Sequence, residues 1–157
     1  MGIAATVKHY LKTHHVDYEV IPHQHTGSSM ETAEVAHVPG RKLAKSIILR
    51  DDKGYVMAVL PASFHLDLSL LNGLLHRDLK MANEDELTEL FRDCEPGAVP
   101  PLGEAYHIET VVEQALVREP DVYLEAGDHT EVIHLDGARF KQLQSKARLG
   151  TFSHPMT

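Results

Sequence analysis

The chain is poor in the residues that would tie it to several common chemistries. Cys94 is the one cysteine in 157 residues, which excludes an internal disulfide and any zinc site built on cysteine pairs. A lone cysteine serves more often as a small core residue than as a nucleophile. No apolar run approaches membrane-spanning length, and the start Met1-Gly2-Ile3-Ala4-Ala5 lacks the charged, apolar and cleavage regions of a secretory signal. A cytoplasmic protein with no membrane partner is expected. Basic residues are scarce: 15 Lys and Arg stand against 23 Asp and Glu, a net charge of -8. Tracking DNA or a long RNA needs many basic contacts, so the balance leaves room only for a small basic spot at one end of a nucleic acid. Histidine is plentiful, yet neither an HExxH pattern nor a Cys/His finger occurs. His23 and His25 have no third ligand at a recognisable spacing and read as solvated loop residues, so no metal and no cofactor is expected. Repeats, low-complexity runs and interdomain linkers are also missing.

What is present suits one compact domain. With 43% hydrophobic and 24% charged residues the composition is near the globular average, and the expected organisation is a domain over residues 1–149 followed by a short flexible tail over 150–157. Ile3, Val7, Tyr10 and Leu11 recur at helical spacing and predict a helix over residues 2–14. The period then changes to alternation in Tyr18-Glu19-Val20-Ile21-Pro22, a short strand. Ser28 or Ser29 can cap a helix through Thr32 and Val35, stopped by Pro39-Gly40. Leu43–Leu49 and Tyr55–Pro61 flank the turn Asp51-Asp52-Lys53-Gly54 and predict an antiparallel hairpin. A leucine-rich helix follows Asp67, and Asn83 with Glu86 three residues on forms a capping-box pattern ahead of Leu87, Leu90 and Phe91. Beyond Gly103 the pattern is β at 107–112, 121–126 and 130–135, then a helix capped by Asp136. Hairpins and helices in mixed order, without sustained βαβ alternation, predict an α+β domain around a curved, mostly antiparallel, barrel-like mixed sheet flanked by helices.

Two features stand apart from routine packing. The segment Glu95-Pro96-Gly97-Ala98-Val99-Pro100-Pro101-Leu102-Gly103 is fixed by its prolines and freed at Gly97, so it is a stiff loop whose few amides are held in place. It reads either as an ordinary turn or as a cradle in which the amides of Gly97, Ala98 and Val99 face an anion or a developing oxyanion. Lys45 interrupts an otherwise apolar strand. Its stem can lie along the sheet with the ammonium in water, or the ammonium can hold a phosphate on the concave face.

Taken in order, Leu43-Ala44-Lys45-Ser46, Met81-Ala82-Asn83-Glu84-Asp85-Glu86-Leu87, Pro96-Gly97-Ala98-Val99-Pro100-Pro101-Leu102-Gly103 and Ala126-Gly127-Asp128-His129 make the chain resemble the YbaK-like aminoacyl-tRNA deacylases. That family includes the editing insertion domain of bacterial prolyl-tRNA synthetase and free-standing relatives, and the resemblance spans roughly residues 1–145. It implies hydrolysis of the ester joining a wrong amino acid to the 3′ end of a transfer RNA. Lys45 matches the strand lysine that anchors the terminal nucleotide, and Gly97 and Pro101 match the ends of a Gly-x-x-x-Pro loop that places the aminoacyl carbonyl. His129 matches a histidine near the amino-acid pocket that relatives specialised for cysteine lack, which leans toward an alanine-type editor acting on proline-accepting transfer RNA; deacylation of Cys or Ser is the alternative. Thr26, Ser28 and Met30 are expected in one wall, beside Gly127. An activated ester can be cleaved by positioning alone, without a triad, a metal or a catalytic cysteine. The expected partners are the acceptor end of aminoacyl-tRNA and a synthetase or elongation factor. A non-catalytic module binding charged ends or a synthetase, and a metal-dependent hydrolase using the histidines, are the competing readings.

Overall fold

The computed structural model describes residues 3–156, so the expected helix start at Gly2 and the end of the chain at Thr157 lie outside the described residues. Capping chemistry sets most helix starts. Helix α1 (Ala5–Thr13) buries Val7, Tyr10 and Leu11. Helix α2 (Ser29–Val35) is capped by Ser28, whose Oγ accepts from the Glu31 amide at 3.2 Å. Asp67 opens α3 (Leu68–Leu75) in the same way through the Leu70 amide at 3.1 Å. The capping box before α4 (Glu84–Leu90) is complete: Asn83 Oδ1 accepts from the Glu86 amide at 2.8 Å, and Glu86 Oε1 accepts from the Asn83 amide at 3.1 Å. After a helical turn, α5 (Gln114–Val117), Asp136 caps α6 (Gly137–Leu143) by accepting from the Arg139 amide at 2.8 Å.

The strands are β1 (Glu19–Pro22), β2 (Leu43–Asp51), β3 (Gly54–Pro61), β4 (Phe64–Leu66), β5 (Lys80–Met81), β6 (Glu109–Glu113), β7 (Asp121–Glu125), β8 (Glu131–Asp136), β9 (Arg148–Gly150) and β10 (Ser153–Pro155). The main sheet runs β1-β8-β7-β2-β3-β6-β9, with β5 also paired to β2. The predicted hairpin joins β2 to β3, with Lys45 opposite Leu60. Three pairings are parallel, β2 with β7, β3 with β6 and β6 with β9, and the others in this sheet are antiparallel. The result is a single mixed α+β domain.

Strand alternation divides the core. Ala44 and Ile48 of β2 face α1 and α6 together with Met57, Val59 and Phe140. Leu49 faces the other side with Val56, Leu60, Leu71 and Phe152, and Leu43 packs with Ala33, Ala62 and Val132 beneath α2. Among the described residues no helix is long and apolar enough to cross a membrane.

The last residues depart from expectation. Residues 150–156, read from the sequence as part of a flexible tail, are docked. Strand β10 pairs with β4, and Phe152 is fully buried. The anchor is Glu113, itself buried, whose Oε1 accepts from the amides of Phe152 and Ser153 at 3.0 Å each and from Ser153 Oγ at 2.7 Å. A three-residue strand held by a glutamate about forty positions away leaves no periodic signal. Replacing Glu113 with alanine strands these buried donors and should cost about 3 kcal/mol of stability. Hydrogen exchange across residues 152–155, with a urea melt, checks this; unchanged protection would show that Phe152 alone holds the segment.

Candidate active site

The main sheet has a window along one edge of β2. Strand β7 accompanies β2 only through Leu43↔Tyr123 and Ala44↔Leu124, and β5 joins the same edge at Leu49↔Met81. Between them, residues 45–47 have no strand partner on that side. The proline-bracketed loop reaches this gap, where Ser46 Oγ donates to the Val99 carbonyl at 3.0 Å.

The loop is tied down at several points. The Glu95 amide donates to the Gly127 carbonyl at 2.8 Å, and Gln144 Nε2 donates to the carbonyl of buried Pro101 at 2.7 Å. Gly97 is exposed and sits at φ +82, a conformation that costs other residues strain. Ala98 differs from expectation: it is buried, and its amide closes the turn on the Glu95 carbonyl at 3.1 Å, so it does not face outward with its neighbours. The amides of Gly97 and Val99 have no acceptor among the described residues. Gly127, at φ +110, lets Ala4 approach so closely that an added Cβ would lie 2.8 Å from the Ala4 Cβ.

His129 joins the loop to the wall. It adopts φ +61, is nine-tenths buried, and its ring lies against Gly97, where a Cβ would be 3.5 Å from Cε1 and Nε2. Its Nε2 is 2.6 Å from the Pro96 carbonyl. A carbonyl only accepts, so Nε2 carries the hydrogen, and in the neutral ring Nδ1 is the acceptor. The Thr26 amide donates to the His129 carbonyl at 3.3 Å, and the His25 ring meets the His129 ring edge-on at 5.3 Å. Thr26 is buried, its Oγ1 2.5 Å from that of Thr32, whose hydroxyl donates to the Ser28 carbonyl at 3.0 Å. Gly97, Gly127, His129 and Thr26 are thus brought together. Ser28 adjoins them through its role as a cap. Met30 lies further off, its sulfur and methyl over Gly40 next to Ser63.

Lys45 occupies the rim of the window rather than the face that carries the loop anchor. Side chains alternate along a strand, so Lys45 points opposite to Ser46, and its Nζ donates to the Ala62 carbonyl at 3.3 Å. Lys45 and the loop anchor Ser46 therefore lie on opposite faces of β2. Burial lowers the Lys45 pKa, and among the described residues no carboxylate pairs with it. An ammonium with unused donors at half-burial is poised for an anion from outside.

Cys94 is not a candidate nucleophile, since burial pushes its thiol up to about 12. A cavity of about 920 Å³ lies elsewhere, lined in part by His9, Tyr10, Glu104, Thr110 and Gln144, and none of the candidate site residues lines it. Some of its polar groups are engaged: the one Tyr10 hydroxyl hydrogen is shared between Glu104 Oε2 at 3.0 Å and the Leu143 carbonyl at 2.9 Å, and Lys146 pairs with Glu104 at 3.2 Å. Sequence reasoning overlooked Ser46 and the buried Glu125 at the end of β7. The signal for Glu125 was a charged residue at the end of an alternating strand whose partners are apolar.

Comparison with known proteins agrees with this architecture. The aminoacyl-tRNA editing domain family matches residues 23–143. A proline–tRNA ligase of Thermosipho africanus is 36% identical over 62 residues, which cover 39% of this chain and 11% of the ligase; the match thus spans about a tenth of that relative. Among solved structures, a hypothetical protein, APE2540, superposes with a TM-score of 0.83 at 22% identity, covering 95% of this chain and 99% of its own. A protein described as a candidate trans-editing enzyme for prolyl tRNA synthetase superposes at 0.81 with 21% identity, covering 96% of each chain. At those identities the two structures speak for the fold.

Proposed function

Because the chain belongs to the aminoacyl-tRNA editing domain family, we propose that it acts in trans as a deacylase, hydrolysing the ester of a mischarged transfer RNA, with alanine on a proline-accepting one as the preferred substrate. The observation that supports this reading is the unpaired stretch of β2, which carries a Lys45 ammonium without a carboxylate partner and is bonded through Ser46 to a loop whose Gly97 and Val99 amides have no acceptor among the described residues. The terminal nucleotide's phosphate takes the ammonium, and its aminoacyl group passes through the gap to the loop. There the two amides stabilise the oxyanion as water attacks the carbonyl carbon, and the ester C–O bond breaks to leave the ribose hydroxyl. The substrate's own neighbouring ribose hydroxyl carries the proton, so this chain supplies positioning, without a metal.

Thr26 and His129 form the wall that sorts side chains by size, as in a second sieve. The supporting point is that both are buried and fixed by hydrogen bonds, so the pocket does not expand freely. The acidic chain grips only the acceptor end, and a synthetase or elongation factor supplies the remaining contacts in the cytoplasm. A panel of alanyl-, seryl-, cysteinyl- and prolyl-tRNA(Pro) tests the reading. Release is expected to be fastest for alanine and slowest for proline. Binding of every species without release would favour a non-catalytic module instead.

A further inference from the structure

All five buried side-chain polar atoms that lack a hydrogen bond among the described residues belong to segments meeting at this wall: His23 Nε2, Glu95 Oε2, which lies 3.6 Å from His25 Nε2, Glu125 Oε2, Asp128 Oδ2 and His129 Nδ1. Such atoms are costly to leave unpaired, and their concentration in one place marks a site for a polar ligand. Glu125 is 3% exposed, Asp128 1% and His129 6%, so bulk water does not satisfy them. Asp128 is held rigidly, its Oδ1 accepting from the amides of Thr130 and Glu131 at 3.0 Å each. His129 is held by Pro96, which leaves Nδ1 as an acceptor.

The three most deeply buried of these groups, Glu125, Asp128 and His129, offer acceptors when the two carboxylates are ionised and the imidazole is neutral, two of them then anionic. Their natural complement is a cation with several N–H donors. Burial raises the Glu125 carboxyl above its ordinary range, opposed by a hydrogen bond from Thr32 and by His129 and His23, while Asp128 adds to the rise. Among the described residues no group of three or more His, Cys, Asp or Glu side chains is arranged to hold a metal ion.

An aminoacyl ester carries an α-ammonium two bonds from its carbonyl carbon. With the carbonyl at Gly97, where an added Cβ would lie 3.5 Å from the His129 ring, the ammonium comes within reach of that ring. We propose that Glu125, Asp128 and His129 Nδ1 receive the α-ammonium of the substrate, which restricts hydrolysis to esters with a free amine and spares N-acylated ones. This inference rests on the deacylase reading above. It also gives a physical reason for a buried glutamate at the end of β7, where an apolar residue would be more stable.

The test compares alanyl-tRNA(Pro) with N-acetylalanyl-tRNA(Pro) as substrates for the wild type, Glu125→Gln and Asp128→Asn. Asparagine keeps an oxygen for the Thr130 and Glu131 amides, so the second variant preserves the turn if the first fails to fold. The wild type is expected to prefer the free amine by about 100-fold or more, and either variant to reduce that preference at least tenfold by slowing the free-amine substrate alone. Comparable rates on both esters by the wild type, or an unchanged preference in the folded variants, would overturn the inference and leave the deacylase reading standing. Failure to cleave either ester above the buffer rate would overturn both.

Discussion

Replacing Lys45 with alanine should lower kcat/KM for deacylation by about 10²–10³-fold, the loss expected when one partner of a buried charge-assisted contact is removed. The fold should survive. Lys45 makes one hydrogen bond, to the Ala62 carbonyl, and burial works against its charge, so its removal relieves desolvation. Stability should change by less than about 1 kcal/mol. Arginine should rescue poorly, because its planar fork is larger and cannot replace a compact ammonium at the rim of a narrow window. Single-turnover kinetics beside a thermal melt separate the two effects. A loss of threefold or less would mean that the Lys45 stem merely lies along the sheet with its charge in water.

Gly97→Ala is expected to be nearly as damaging to activity. The position sits at φ +82, and an L-residue held there costs about 1–2 kcal/mol, which the loop relieves by rotating its amide away from the substrate carbonyl. Loss of one oxyanion donor lowers kcat by about 10²-fold. Space does not confuse the result, since the added methyl lies 3.5 Å from the His129 ring, ordinary contact distance. Gly54→Ala is the control. Gly54, at φ +134 in the β2–β3 turn, has nothing within 4 Å of an added Cβ. It should lose comparable stability and keep full activity. Equal activity losses in both variants would reduce the loop to a structural turn.

Local chemistry made much of the fold legible. Ser28, Asp67, Asn83 with Glu86, and Asp136 each announce a helix start through a short-range bond, and Asp51–Gly54 announces a hairpin. The missed elements are those whose reasons lie far away in sequence. β4, β9 and β10 are three-residue strands stabilised by partners from other parts of the chain, and the C-terminal segment depends on Glu113. The site divides along the same line. Lys45, Gly97 and His129 each violate a local expectation, as a charge in an apolar strand, a glycine among prolines and a histidine in a turn, so they stand out. The window does not, because it arises where β7 leaves β2 and β5 has yet to join it, a fact of pairing rather than of pattern. For the same reason, the pattern of β2 could not reveal that Ser46 is bonded to the loop at Val99.

The most direct measurement is release of free alanine from alanyl-tRNA(Pro) by the purified protein in excess chelator, under single-turnover conditions. Deacylation through positioning predicts release well above the spontaneous rate, unchanged by the chelator and slowed about 10²–10³-fold in Lys45→Ala. Release no faster than in buffer, or release that the chelator removes, would contradict it.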